Sequence, residues 1–525
     1  MNGAESLVRT LLAGGVDVCF ANPGTSEMHF VSALDRIAGM RCVLGLFEGV
    51  VTGAADGYFR IARRPACTLL HLGPGLGNGL ANLHNAKKAG SGIVNVVGEH
   101  ASYHVALDAP LTSDIEAVAR PMSHWVRTTR SADAIAPDAA QAIVQASTHP
   151  GRVATLILPA DAAWSELGAS AEAAGDLAAR LSQARRGSQA QPEAVLASAR
   201  ALRAPGPSLL LLGGTALGEQ GLQIAGRIAA QTGCALMSEF YVARLARGAG
   251  RVLAPRIPYV VDLAVAALSR FERIVTVGAP PPVGFFAYPG KPSLLAPERA
   301  QIVALAARQD DGVAALRALA DELGAGALEP SGVVARRTQT GAAPAGKPTL
   351  DGVAAVLAAA IPENAIVVDE AVSSGRAFGA ATAGAAPHDW LTAMGGSIGF
   401  GLPTAVGAAI ADPSRRVLAL EGDGSGMYTP QALWTMARES LNVTVLVFAN
   451  RSYRILRGEL AGVGAGEAGP RAAQMLDLDR PALDWVALAR GMGVPGVRVD
   501  ELGALARELA RALVEPGPSL IELVL

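Results

Sequence analysis

Apolar residues along the chain switch repeatedly between two spacings. Short continuous apolar runs predict buried strands, whereas apolar residues three and four positions apart predict helices. In the N-terminal part of the chain, strands are predicted at 16–21, 42–47, 66–72 and 93–98, and helices at 26–37, 48–62 and 77–89. Strands and helices that alternate in this way require a parallel sheet covered by helices.

The same alternation occurs twice more, beginning near Leu209 and near Leu350. In the last part of the chain, the predicted strands lie at 365–369, 417–421, 443–449 and 519–524. Stretches rich in small and polar residues at 164–192 and 324–348 separate the three runs and predict interdomain connections. We therefore expect an α/β protein of three doubly wound parallel-sheet domains, at residues 1–170, 190–325 and 348–525.

The composition excludes several classes of protein. Charged residues make up 17% of the chain, against about 25% in ordinary domains, and hydrophobic residues make up 50%, which excludes a disordered chain. The net charge is only −2, so we expect no basic surface for nucleic acid. Two uncharged segments, 65–86 and 390–411, contain glycine and proline, which favour strand, turn and buried helix over a membrane span. Met1 is not followed by a secretory signal pattern, so we expect a cytoplasmic protein.

The four cysteines and two of the histidines are candidate metal ligands or redox groups. The four cysteines have neither CxxC spacing nor dense pairing, and we expect all of them to be buried thiols; they are Cys19, Cys42, Cys67 and Cys234. His100 and His104 have the spacing of a metal pair on a helix, but the predicted strand just before them favours a loop.

A candidate metal site lies at the ends of two predicted strands. Gly422-Asp423-Gly424 ends one strand, and Asn450 ends the next, 27 positions after Asp423. Because neighbouring parallel strands end side by side, the Asp423 carboxylate, the Asn450 amide oxygen and a carbonyl near Ser452 can converge on a hard cation. Mg²⁺ completes its shell with phosphate oxygens and water, so the pattern predicts a diphosphate ligand, with backbone N–H groups supplied by Gly424 and Ser425. The alternative is a simple strand-to-turn signal.

With these motifs the chain resembles the thiamine-diphosphate-dependent enzymes, in particular acetolactate synthases and benzoylformate decarboxylase. The remaining motifs that carry the resemblance are Asn22-Pro-Gly-Thr25, Phe47-Glu48-Gly, Ala55-Asp-Gly-Tyr58, the glycine-rich segment from His71 to Asn78, and the segment from Gly396 to Pro403. The resemblance implies a pyrimidine-binding domain, a central domain and a diphosphate-binding domain, with thiamine diphosphate and Mg²⁺ as cofactors.

Glu48 is the first candidate catalytic residue. It ends an apolar run, where a carboxylate must be neutralised or paired. The resemblance implies that Glu48 hydrogen-bonds the aminopyrimidine and starts catalysis; the alternative is a carboxylate that meets a helix dipole. The resemblance also implies that Ile398 supports the bent cofactor, although a core isoleucine would look the same. Further cofactor contacts are implied for Ser373, Ser374, Ser397, Gly422 and Tyr453.

His71 matches an active-site histidine of benzoylformate decarboxylase, and an imidazole can exchange protons near neutral pH. Thr25 is expected to be its hydroxyl neighbour. The alternative for His71 is a satisfied polar group without a catalytic role.

Departures from the family pattern bear on the reaction. Phe285 stands where benzoylformate decarboxylase carries its second catalytic histidine. Without that acid, release of an aldehyde should slow, which favours transfer of the acyl group to a second carbonyl. The flavin segment of acetolactate synthases is absent, which argues against FAD. The tryptophan expected after Asn450 and the lysine expected in 120–124 are also missing.

The sequence therefore predicts an enzyme that decarboxylates a small 2-oxo acid, with pyruvate as the default donor, and joins the product to an aldehyde or a second 2-oxo acid. One alternative is a decarboxylase that releases aldehyde, and another is a non-catalytic regulatory paralogue that binds the cofactor. A dinucleotide-binding dehydrogenase is disfavoured, because Gly73-x-Gly-x-Gly lacks the required spacing. In the family, Glu48 of one subunit reaches cofactor held by another, so a homodimer or homotetramer is expected.

Overall fold

The computed structural model describes residues 1–168, 175–330, 332–337 and 344–525. Parts of both predicted interdomain connections lie outside the described residues. Three sheets, each mainly or wholly parallel and flanked by helices, form the protein, as the sequence predicts.

The first sheet has the strand order β2-β1-β3-β4-β6-β5 and is parallel throughout. Its strands are β1 Val18–Asn22, β2 Arg41–Leu44, β3 Ala66–Leu70, β4 Ile93–Glu99, β5 Trp125–Thr128 and β6 Val153–Pro159. The helices of this part are α1 Gly3–Ala13, α2 Met28–Arg36, α3 Glu48–Ala62, α4 Leu72–Ala89, α5 Ser102–Val105, α6 Ile115–Ala119, α7 Ile135–Ser147, α8 Ala160–Trp164 and α9 Leu177–Ala184.

The second sheet has the order β11-β10-β7-β8 and is also parallel. The strands of this part of the chain are β7 Ser208–Leu212, β8 Ala235–Ser238, β9 Leu245–Arg247, β10 Arg273–Val277 and β11 Gln301–Ala306. Its helices are α10 Pro192–Arg203, α11 Glu219–Thr232, α12 Val261–Leu268 and α13 Gly312–Leu323. β9 leaves this sheet and pairs with the third one.

The third sheet has the order β16-β17-β15-β14-β12-β13-β9 and is parallel except for the antiparallel edge strand β9. Its other strands are β12 Ile366–Glu370, β13 His388–Thr392, β14 Val417–Gly422, β15 Val443–Ala449, β16 Gly496–Val499 and β17 Ser519–Val524. The helices are α14 Leu350–Ala360, α15 Phe378–Ala381, α16 Gly401–Ala411, α17 Asp423–Gly426, α18 Ala432–Arg438, α19 Arg454–Gly462, α20 Pro470–Leu476, α21 Trp485–Gly491 and α22 Leu502–Ala512.

Some predicted elements differ from the observed ones. The helix predicted at 77–89 begins five residues earlier, at Leu72, because Pro74 falls in the first turn, where the missing N–H costs nothing. Cys42, predicted to be buried, is exposed, whereas the other three cysteines are buried as expected. Cys42 lies on β2, which has a neighbouring strand on one side only. Among the described residues, no helix combines the length and apolar character needed to cross a membrane.

α3 and α16 form the junction between the first and third sheets. A Cβ on Gly57 would lie 2.2 Å from the carbonyl oxygen of Thr404, so the two backbones touch where they cross. Arg60 on α3 forms a buried ion pair with Asp56 through Nη2, at 2.7 Å, and also donates to the carbonyl of Thr392 at the end of β13, at 2.7 Å. The helix that begins at Glu48 is therefore fixed against the third sheet.

Candidate active site

The strand ends β14 and β15 bring the predicted metal ligands together. Asp423 is buried, and its two carboxylate oxygens accept the backbone N–H groups of Gly424, at 2.9 Å, and Arg451, at 2.6 Å. The Asn450 amide oxygen accepts the N–H of Ser452 at 3.0 Å. Burial raises the pKa of Asp423 to about 6, so a cation beside this carboxylate would favour its ionised form.

The loop after β14 is closely packed. A Cβ on Gly424 would lie 2.6 Å from the ring of Tyr453, so only glycine fits under this tyrosine. The hydroxyl of Ser425 donates to Glu421 at 2.6 Å. On the neighbouring strand β12, the following turn carries Ser373 and Ser374, of which Ser374 is buried. These residues lie at the same edge of the third sheet as Asp423, because β12 and β14 are adjacent.

Two glutamates that the sequence interpretation missed lie beneath this edge. Glu370 and Glu421 face each other across β12 and β14, and both are buried. Glu370 accepts the N–H groups of Phe400, at 3.2 Å, and Gly401, at 2.8 Å. Burial raises the pKa of Glu370 to about 7, and burial together with the Glu370 carboxylate raises the pKa of Glu421. The sequence feature that could have identified this pair is an acidic residue at the end of each apolar strand.

The loop from Gly395 to Gly399 carries Ile398 and is held by α4 of the first domain. Asn85 donates to the carbonyl of Ser397 at 2.9 Å and accepts its N–H at 3.2 Å. Asn82 donates to the carbonyl of Gly399 at 3.1 Å. Both asparagines are buried, so this loop has one defined position.

Ile398 lines a cavity of about 610 Å³ between the third sheet and the central part of the chain. The same cavity contains Val372 and Gly375 of the turn after β12 and Leu456 of α19. Phe285 also lines it and lies against the Ile398 loop, since a Cβ on Gly396 would be 2.5 Å from its ring. The residue that replaces the expected histidine therefore lies within this cavity.

Glu48 lies at the start of α3 and is buried. Asn78 on α4 donates to its Oε2 at 2.9 Å. A Cβ on Gly75 would lie 2.9 Å from Oε1, so the glycine-rich start of α4 leaves room for this carboxylate. Glu48 is not among the described residues that line the cavity of Ile398.

His71 has a hydrogen-bond partner that the sequence interpretation did not identify. Thr25 is exposed, whereas Glu27, two residues later, is buried and accepts a hydrogen bond from His71 Nδ1 at 2.9 Å. Glu27 also accepts the N–H of Gly24 at 2.7 Å, and burial raises its pKa. The adjoining Gly24 packs against the His71 ring, since a Cβ there would lie 2.1 Å from Nδ1, and the role of Thr25 stays a prediction.

His100 and His104 lie close together, with ring centroids 5.3 Å apart, and His104 is on the short helix α5. In the described part of the chain, no group of three or more histidine, cysteine, aspartate or glutamate side chains is arranged to hold a metal ion.

Comparison with known proteins shows which family the chain belongs to. Residues 1–119 match the model of the N-terminal TPP-binding domain of thiamine pyrophosphate enzymes, and residues 374–523 match the model of the C-terminal TPP-binding domain. An acetolactate-synthase-large-subunit-like protein of Mycobacterium tuberculosis, IlvX, is 51% identical over 100% of this chain and 99% of its own. The chain belongs to the thiamine-diphosphate-dependent enzymes.

Further similarities connect this thiamine-diphosphate-dependent enzyme to decarboxylases. Benzoylformate decarboxylase of Pseudomonas aeruginosa is 31% identical over 97% of this chain and 96% of its own. The solved structure of a 4-hydroxybenzoylformate decarboxylase from Rhodococcus jostii RHA1 has a TM-score of 0.82 at 24% identity and covers 99% of this chain and 98% of its own. The latter similarity shows the shared fold.

The residues present fit the cofactor that the family requires. Asp423 and Asn450 supply hard oxygen donors of the kind Mg²⁺ prefers, with positions left for diphosphate and water. Because Gly424 has no side chain, its backbone lies close to the ring of Tyr453. Ile398 presents an apolar side chain to the cavity. This thiamine-diphosphate-dependent enzyme therefore has the donor chemistry for a magnesium diphosphate at one end of the site and an apolar support at the other.

Proposed function

We propose that the protein uses thiamine diphosphate and Mg²⁺ to decarboxylate a 2-oxo acid and to join the resulting acyl group to an aldehyde or a second 2-oxo acid. The observation that carries the proposal is Phe285 in the cavity, against the loop of Ile398. A phenyl ring cannot donate the proton that would release an aldehyde, so a second carbonyl compound can compete for the acyl group.

Bound thiamine diphosphate supplies the electron sink that decarboxylation of a 2-oxo acid needs. Asp423, Asn450 and the region of Ser452 would hold its magnesium ion, and Ser373, Ser374, Ser397, Gly422, Gly424, Ser425 and Tyr453 would surround its diphosphate or thiazolium parts. Ile398 would support it from below. These assignments rest on the position of each residue at the edge of the third sheet.

Glu48 would hold and move the proton that activates the cofactor. Its burial and the hydrogen bond from Asn78 fix the carboxyl group in one orientation, as proton transfer requires. His71 is oriented by Glu27 through Nδ1, so proton exchange with substrate would use Nε2. We therefore assign Glu48 and His71 as the proton-handling residues, with Glu27 as a positioning residue for His71 and Thr25 as its hydroxyl neighbour.

We also infer that the active unit is a homodimer or a larger homo-oligomer. Large apolar side chains are exposed beside both halves of the site: Met28 and Leu46 in the first domain, and Met427 and Tyr428 after the Asp423 loop. Exposed apolar residues that flank a site are typical of an interface. Light scattering should therefore give at least twice the mass of one chain.

The test is incubation with a panel of 2-oxo acids, thiamine diphosphate and Mg²⁺, with CO₂ and the organic products both measured. We expect CO₂ together with a hydroxyketone or 2-hydroxy-3-oxo acid product. The Glu48→Gln variant should release no CO₂ but unfold at the wild-type temperature, whereas Asp138→Asn, on α7 outside the site, should remain active. Phe285→His should shift the products toward aldehyde.

Two outcomes would contradict the proposal. Aldehyde as the sole wild-type product would identify a simple decarboxylase. Cofactor binding, detected by circular dichroism, without CO₂ release from any donor would identify a non-catalytic paralogue.

A further inference from the structure

Glu459 is an acidic residue within the cavity that the proposed chemistry does not use. It lies on α19, and its side chain lines the same cavity as Ile398. Aromatic residues of the central part of the chain also line the cavity and are here called the aromatic wall: Phe240, Tyr241, Tyr259 and Phe285. Their ring centroids lie 4.4 to 5.7 Å apart in contacting pairs.

The partners of Glu459 are hydroxyl groups and not cations. Tyr288 donates to Oε2 at 2.8 Å, and Tyr259 donates to Oε1 at 3.3 Å. Among the described residues, no arginine, lysine or histidine forms an ion pair with Glu459. Two phenol donors orient the carboxylate without neutralising it, so its negative charge faces the cavity. The other charged side chains that line the cavity are Arg247, Arg256, Arg376, Asp369 and Glu370.

Three arginines line the cavity, and one of them, Arg256, is held by an aromatic ring together with a carboxylate. The Arg256 guanidinium lies 5.9 Å from the ring centroid of Phe240 and 4.0 Å from the Asp369 carboxylate. An aromatic face and a carboxylate together are a common arrangement for binding a cation. Glu459 and the aromatic wall repeat this combination, but no side chain of the described residues supplies the second cation.

We propose that Glu459 and the aromatic wall select a donor 2-oxo acid whose side chain ends in a cation, either an ammonium or a guanidinium group. This inference rests on the proposed function. Under it the best donor is a 2-oxo acid with a cationic side chain, rather than pyruvate. A cationic side chain would extend from the reacting carbon near Ile398, across the aromatic rings, to the carboxylate. Donors with an anionic side chain would be rejected by the same charge.

A purely structural role makes a different prediction. Glu459 could tie α19 to the central part of the chain through its two tyrosines, in which case removal of its charge would affect all donors equally. The Glu459→Gln variant separates the two roles, because a glutamine oxygen can still accept a hydrogen bond from a tyrosine but carries no charge. Tyr288→Phe makes the converse change, since it removes one hydroxyl and keeps the charge.

The experiment compares two 2-oxo acids of equal chain length, one ending in an ammonium or guanidinium group and the other in a neutral group. We expect wild-type kcat/KM to favour the cationic donor at least tenfold and Glu459→Gln to abolish that preference through a higher KM for the cationic donor alone. Tyr288→Phe should retain most of the preference. Glu467→Gln, an exposed glutamate beyond α19, should leave it unchanged.

Calorimetric titration with the corresponding 2-hydroxy acids, which cannot be decarboxylated, provides a second measurement. Tighter binding of the cationic analogue to wild type than to Glu459→Gln supports the inference. Equal binding or turnover of the cationic and neutral compounds by wild type overturns it, whether or not the variant folds, and so does an equal loss for both compounds in Glu459→Gln. If no 2-oxo acid releases CO₂, the proposed function fails, and the titration still decides the role of Glu459.

Discussion

Asn85 should control both the stability of the protein and its affinity for the cofactor. Its side chain makes two hydrogen bonds to the backbone of Ser397 and a third, at 3.0 Å, to the Asn82 amide oxygen. Ser397 directly precedes Ile398, which lines the cavity and would support the cofactor under the proposed function. The Asn85→Ala change therefore removes the contacts that hold this loop without altering any proposed cofactor ligand.

The magnitude follows from the groups that lose a partner. A buried polar group without a hydrogen bond costs about 1–3 kcal/mol, and the change affects the N–H and the carbonyl of Ser397 and the amide oxygen of Asn82. Because Ser397 is only half-buried, water can replace part of the loss, and we expect a destabilisation of about 2–3 kcal/mol. In a domain of this size that corresponds to a decrease in Tm of roughly 4–12 °C.

The effect on the cofactor arises because a loosened loop adopts its binding conformation for only part of the time. The apparent Kd rises in inverse proportion to that fraction. If about 1.4 kcal/mol of the lost energy must be recovered when the loop becomes ordered, the Kd for thiamine diphosphate rises about tenfold. Titration of the cofactor in the presence of Mg²⁺, followed by circular dichroism, measures this change.

Asn95→Ala is the matched control. Asn95 is also fully buried in the first domain, and it bonds Thr68 at 2.7 Å and Thr155 at 3.0 Å, which lie on neighbouring strands of its own sheet. Its replacement should lower Tm comparably and leave the Kd for the cofactor unchanged. The reasoning is refuted if Asn85→Ala lowers Tm without weakening cofactor binding, or if both variants weaken it equally.

Two further predictions concern buried ionisable side chains. Arg60→Met should destabilise the protein by about 3–5 kcal/mol, because it leaves the Asp56 carboxylate buried without its cation; a change in unfolding free energy below about 1 kcal/mol would contradict the assignment. Burial lowers the pKa of His388 to about 4, below its value of about 6.5 in an unfolded chain. Neutral His388 therefore contributes stability that is fully present above about pH 6.5 and is lost as the pH falls through about 4, by up to about 3 kcal/mol. Unfolding measured between pH 7 and pH 4 should show a shallower loss for His388→Phe than for wild type, and equal slopes would refute this account.

The sequence could predict features that depend on local order along the chain. The three α/β units and the exact bounds of α3 and β15 follow from apolar spacing, because strands and helices of this kind are specified by neighbouring residues. The approach of Asp423 to the turn after Asn450 could also be expected, since the ends of adjacent parallel strands must meet.

Contacts between distant segments could not be predicted in this way. Asn85 and Ser397 are 312 positions apart, and nothing local indicates that they meet. The hydrogen bond between His71 and Glu27 joins residues 44 positions apart and could not be predicted either. Cys42 was misplaced because an apolar run indicates a strand but does not show that the strand lies at the edge of its sheet.

The crossing of α3 and α16 depends both on a local sequence feature and on a contact between distant segments. Both helices are visibly rich in small residues, but only the structure shows that they touch, with a Cβ on Gly407 placed 1.8 Å from the carbonyl oxygen of Ala54. Neither backbone can move there without displacing the other, since packed interiors leave no room for such a shift. α3 begins at Glu48, and α16 begins just after the loop of Ile398, so both groups belong to one rigid piece. In the proposed dimer, each copy would use Glu48 in one site and Ile398 in the other, and this rigid piece would set the distance between the two sites.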